Sequence, residues 1–238
     1  MASWFSRRRP PVVVPRLKPR GERSLSTRVD LGEITPELLP YLGQAALVQM
    51  LAFETYSGIV RGVSSLAAKE AVSQSAGAAL ARYQGLVAEI RRRGDDPIST
   101  MQPFAEMCAA FRAVITGADW RESLLAASVA FGLLDDFFIR LAEGLPGDFG
   151  PRCAQLLSSD AGRDATVRLL QEAIAEDPPL ASQLAMWGRR LVGDTLLVAR
   201  SALHLSDNSE DDEQHIEPVL TELIAAHSRR MDELGLTA

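Results

Sequence analysis

Histidine is scarce, and its placement excludes more than its number does. The chain has three, His204, His215 and His227, all beyond residue 200. Metal centres built in the core of a carboxylate-bridged helical bundle draw imidazoles from two helices, and no helix before residue 204 can supply one. Cysteine is nearly as rare. Cys108 and Cys153 lack the paired spacing of a metal site, fall inside helical patterns and read as buried free thiols. Lysine occurs only at Lys18 and Lys69, so the other basic side chains are arginines, which reads as the bias of a GC-rich genome. Aromatics make up 6% while alanine and leucine abound, a mix that favours helices packed through small side chains. There is no apolar run of about 18 residues to span a membrane. There is also no glycine-rich phosphate loop and no catalytic-triad signature. No stretch alternates with period two over a useful length, so essentially no sheet is expected.

The 238 residues are 47% hydrophobic and 24% charged, enough for one large or two small domains with a sizeable core. The net charge of −6 is unevenly spread. Residues 1–28 hold eight cations against Glu22 alone, leaving seventeen cations and thirty acids in the rest. This is a basic arm on an acidic body. Pro10, Pro11, Pro15 and Pro19 disfavour regular structure there, so residues 1–30 are expected to be a flexible, solvated arm and 31–238 the folded domain. Trp4 and Phe5 precede Arg7, Arg8 and Arg9. That grouping suits an acidic protein surface, anionic lipid or RNA phosphate, without choosing among them. The arginine triplet invites a twin-arginine signal, but Val12-Val13-Val14 is cut by Pro11 and Pro15, leaving no apolar segment. The cytoplasm is the expected compartment, with peripheral membrane association through the arm as the alternative.

Helical spacing predicts a first helix from Thr35-Pro36-Glu37 to Gly62, with Pro40 delaying its start, and a second from Ser64 or Ser65 to Arg93, stopped by Gly94. Asp95-Asp96-Pro97 reads as a turn. A helix over 101–116 follows, and another opens at Asp119, whose Asp119-Trp120-Arg121-Glu122 resembles a capping box, and runs to about Glu143. Shorter helices are expected at 150–157 and 160–175, then a long one at 180–203. An acidic linker over 206–212 precedes a last helix from Glu217-Pro218 to Leu234.

Several strings carry a resemblance. Tyr41-Leu42-Gly43, Leu51-Ala52-Phe53, residues 184–193 (LAMWGRRLVG) and residues 226–236 (AHSRRMDELGL) resemble an actinobacterial ferritin-like family related to the bacterial tRNA hydroxylase (MiaE-like). The resemblance covers about residues 38–236. It implies an all-α ferritin-like antiparallel four-helix bundle with additional C-terminal helices, and bundles of this kind are expected to form homodimers. Di-iron members place a Glu on one helix of each pair and Glu-x-x-His on the other. Laid on this chain, the first Glu falls on Gln49 and the second-helix motif on Ala79 and Arg82. The third-helix carboxylate falls near Phe131 or Asp136. The last motif falls on residues 159–164, including Asp160, with no histidine. The resemblance therefore implies vestigial metal positions at Gln49, Ala79, Arg82, Asp136 and Asp160, and no cofactor. A carboxylate-only site drawn from Glu54, Glu70, Asp135, Asp136, Asp160 and Asp164 is the remaining route to a metal.

An arginine inside a bundle needs a carboxylate partner. Arg82 is therefore expected either in a buried network with Gln49 and Asp136, Asp135 being the other choice, or turned to solvent. His227 lies on the apolar stripe of the last helix and reads as a hydrogen-bonded core histidine. Arg189 and Arg190 suit ion pairs or a cation–π contact with Trp187. The function expected is that of a non-catalytic, metal-free ferritin-like protein acting in protein interaction or scaffolding, its partner unidentified. A di-iron tRNA-hydroxylase-like oxygenase with a rearranged site is one alternative. A membrane- or nucleic-acid-associated factor recruited by the arm is the other.

Overall fold

The computed structural model describes residues 34–159, 161–203 and 209–237, apart from the side chains of 209–215. The basic arm, Asp160, His204 and the side chain of His215 lie outside the described residues. Helices follow one another as α1 (Leu38–Gly62), α2 (Leu66–Arg92), α3 (Pro97–Met101), α4 (Ala105–Ile115), α5 (Trp120–Ala142), α6 (Phe149–Leu157), α7 (Arg163–Glu176), α8 (Pro178–Arg200) and α9 (Ser209–Glu233). No strand occurs among the described residues.

The long helices start and stop on local chemistry. Ser65 Oγ accepts from the Ala68 amide at 3.0 Å and caps α2. Gly94 ends that helix with φ +85°, a conformation glycine adopts at no steric cost. Asp119 accepts from the amides of Arg121 and Glu122, and Glu122 reaches back to the Ala118 amide at 2.8 Å, one residue before the cap.

Four boundaries differ from the sequence reading. Pro40 sits in the first turn of α1 without delaying it, because the first amides of a helix need no intrahelical acceptor. Asp96-Pro97 is a helix start, not only a turn, because Asp96 accepts from the Ser99 amide at 2.8 Å and proline suits the first helical position. The expected helix over 101–116 is consequently two, α3 and α4, joined by a 3-10 turn at 102–104 that contains Pro103. The last helix starts at Ser209, so much of the expected acidic linker is helical and Pro218 is interior.

α1 and α2 form one extensive antiparallel pair. α5 is buried on nearly every side, as a helix apolar all round should be. It packs on α1, on α6 and α7, and on α8 and α9. The fourth position of the bundle, against α2 and α5, is filled by α6, which ends at Leu157, followed by α7, which starts at Arg163. Gly162 sits in the break with φ +88°, and a Cβ there would meet the Ser75 amide at 2.5 Å. α8 and α9 cover the other side of α5. No helix among the described residues is long and apolar enough to cross a membrane.

A candidate binding site in the bundle core

The break between α6 and α7 leaves a cavity of about 340 Å³ inside the bundle. Residues at helical spacing face it. Ala52 and Tyr56 come from α1, Ala78, Ala79 and Arg82 from α2, Phe131, Gly132, Asp135 and Ile139 from α5, Val167 and Leu170 from α7, and Arg230 and Glu233 from α9.

One ion pair organises the floor. Arg82 Nη1 donates to Asp135 Oδ2 at 2.7 Å, and both side chains are 14% exposed. Arg82 Nη2 donates to the carbonyl of Ser159, just past the end of α6. The last carbonyls of a helix lack intrahelical partners and attract a cation, so the break in the fourth helix itself holds the guanidinium. Gln49 is fully buried and donates from Nε2 to Asp135 Oδ1 at 2.6 Å. Burial pushes the Asp135 carboxyl up to about 6, against the opposite pull of Arg82 and of the Gln49 bond, while Asp136 adds to the rise. Burial also pushes the Tyr56 phenol up to about 12.

Gln49 and Arg82 thus meet as expected, but Arg82's carboxylate is Asp135, not Asp136. Consecutive residues point about 100° apart around a helix. Asp135 faces α1 and α2, while Asp136 turns to α9, where Arg230 Nη2 donates to its Oδ2 at 2.6 Å. The same nitrogen donates to the Gly132 carbonyl at 2.9 Å. Gly132 makes the room, since a Cβ there would stand 2.8 Å from Arg230 Nε. Arg163 donates to Glu233 at 2.6 Å on the rim. Arg230, Arg163 and Gly132 were not singled out from the sequence. The readable trace is Gly132-x-x-Asp135-Asp136, a small residue followed one turn later by two adjacent acids.

His227 is buried, but among the described residues neither ring nitrogen has a hydrogen-bond partner, which corrects the expectation of a bonded core histidine. Burial, and then the charge of Arg230, hold its pKa below the usual value. Cys108 and Cys153 are buried free thiols, each pushed up to about 11 by burial. Arg190 lies 5.8 Å from the Trp187 ring centroid, a cation–π contact, and Arg189 donates to the Thr237 carbonyl.

A di-iron centre does not fit this donor set. An amide stands at Gln49, a methyl at Ala79 and a guanidinium at Arg82, and both oxygens of Asp135 already accept hydrogen bonds. Of the carboxylates that might build an alternative site, Glu54 pairs with Arg112, Glu70 accepts from Gln74, and Asp160 lies outside the described residues. Among the described residues no group of three or more His, Cys, Asp or Glu is placed to hold a metal ion.

A family model described as a ferritin-like domain of actinomycetes matches residues 36–208. A search of curated protein sequences finds no match. The matched segment runs from α1 to α8, so Arg230 and Glu233 reach the cavity from outside it. An all-helical bundle, a broken fourth helix over the core cavity and a match across most of the chain agree, and the protein belongs to the ferritin-like domain family of actinomycetes.

Proposed function

We propose that this protein is a non-catalytic, metal-free member of the ferritin-like fold that works by binding. The observation that carries the reading is Arg82. Its guanidinium, tied to Asp135 and to the carbonyl of Ser159, stands at the α2 position to which the sequence resemblance assigns the Glu-x-x-His motif of di-iron bundles. A fixed cation beside the acceptors that remain opposes a second cation, and Gln49 and Ala79 offer no carboxylate to offset it. The bundle keeps its inward-facing polar network and cavity, and these serve recognition.

The test is metal analysis of full-length protein expressed in iron-replete medium, followed by anaerobic Fe(II) titration and exposure to oxygen. Iron far below stoichiometric, with no oxygen uptake above the Fe(II) background, is expected. Stoichiometric iron that consumes oxygen would overturn the reading and turn attention to tRNA-hydroxylase-type chemistry, with hydroxylated tRNA nucleosides as the product to seek.

A further inference from the structure

The cavity is lined by three guanidiniums, Arg82, Arg163 and Arg230, paired with Asp135, Glu233 and Asp136. Among the described residues Arg82 Nε and Arg230 Nη1 are buried with no partner, whereas both oxygens of Asp135 are taken. The depth of the charges is unequal too. Arg82, Asp135 and Arg230 side chains are 14%, 14% and 17% exposed, while Asp136, Glu233 and Arg163 are 38%, 40% and 44% exposed and stand at the rim, so the deep set holds two cations and one anion. The deep charge still open to a ligand is therefore cationic. The rest of the wall is apolar, from Phe131, Ile139, Val167 and Leu170. A volume of about 340 Å³ is within the range of small-molecule pockets.

We infer, resting on the metal-free reading above, that the cavity binds a small monocarboxylate with an apolar body. The carboxylate takes N–H donors of Arg82 and Arg230, whose planar forks match its two oxygens. The body lies along Phe131, Ile139, Val167 and Leu170. Nothing in the arrangement calls for bond chemistry. The site selects an anion by its donors and an apolar tail by its walls.

The test is calorimetric titration of full-length protein, verified iron-free, with octanoate and its neutral and cationic counterparts, 1-octanol and octylammonium. Octanoate is expected to saturate one site and to bind at least about tenfold more tightly than either counterpart. Arg230→Gln, checked for an unchanged helical spectrum, should weaken octanoate by about tenfold or more. Should that variant not fold, Ala78→Leu on the cavity wall serves instead, and its filled cavity should lose octanoate. Octylammonium binding as well as octanoate, or octanoate binding undiminished in the filled-cavity variant, overturns the assignment. Iron-free protein that binds none of the three probes overturns the ligand but leaves the metal-free reading standing. Stoichiometric iron overturns that reading on its own, whatever the probes do.

Discussion

Arg82 and Asp135 hold each other in a place where neither would survive alone. Removing one partner of a buried pair leaves an uncompensated charge, while replacing both with apolar groups of similar size often costs little. Arg82→Met and Asp135→Leu are each expected to destabilise the fold by about 3 kcal/mol at neutral pH, a fall in Tm of roughly 6–12 °C for a chain of this size. The double variant should cost clearly less than the sum of the singles, and urea denaturation of all four proteins closes the cycle. Additive costs would mean that the pair contributes nothing as a pair. That Arg82 needed a carboxylate was legible in the sequence. Which one it took was not, because Asp135 and Asp136 are neighbours and the choice is made by Arg230, more than ninety residues away.

Helices in this chain announce themselves where a cap or a glycine marks the end and blur where proline has two readings. Ser65, Gly94 and Asp119 set boundaries that the sequence shows plainly. Pro97 starts a helix while Pro218 lies within one, and only the surrounding packing separates these cases. Two glycines test the packing of the first helix pair. Gly43 on α1 lies against α3, and a Cβ there would be 2.3 Å from the Thr100 carbonyl oxygen, a backbone atom that cannot swing aside. Gly43→Ala is therefore expected to cost about 1–3 kcal/mol through overpacking. Gly77 is exposed within α2 with nothing within 4 Å of an added Cβ. Gly77→Ala should raise stability by about 0.5–1 kcal/mol by removing chain entropy from the unfolded state. Urea midpoints moving the same way in both variants would contradict this account of the helix pair.

For the molecule as a whole, the all-helical class followed from periodicity alone, while the cavity did not. It arises from a break in the fourth bundle helix and from a ninth element that delivers Arg230 to it, features set by tertiary packing rather than by local pattern. Two buried groups, His227 on α9 and Asp135 on α5, give stability a pH dependence with opposing parts. The folded pKa of His227 is depressed, by burial first and by Arg230 second. As pH drops through the ordinary value near 6.5, the unfolded chain takes up a proton that the folded chain refuses, so stability falls. Asp135 acts in the other direction. Its pKa is raised from 3.8 to about 6, so between those values the folded chain holds a proton that the unfolded chain has released, and stability is gained as pH falls. Unfolding free energies measured in urea should therefore decline from about pH 7.5 to about pH 6 and flatten below it, as Asp135 offsets His227. In His227→Gln the decline over the upper part of that range should disappear, while the gain at lower pH, which belongs to Asp135, persists. An identical decline in the variant would show that other groups govern the acid limb and that the buried imidazole is silent.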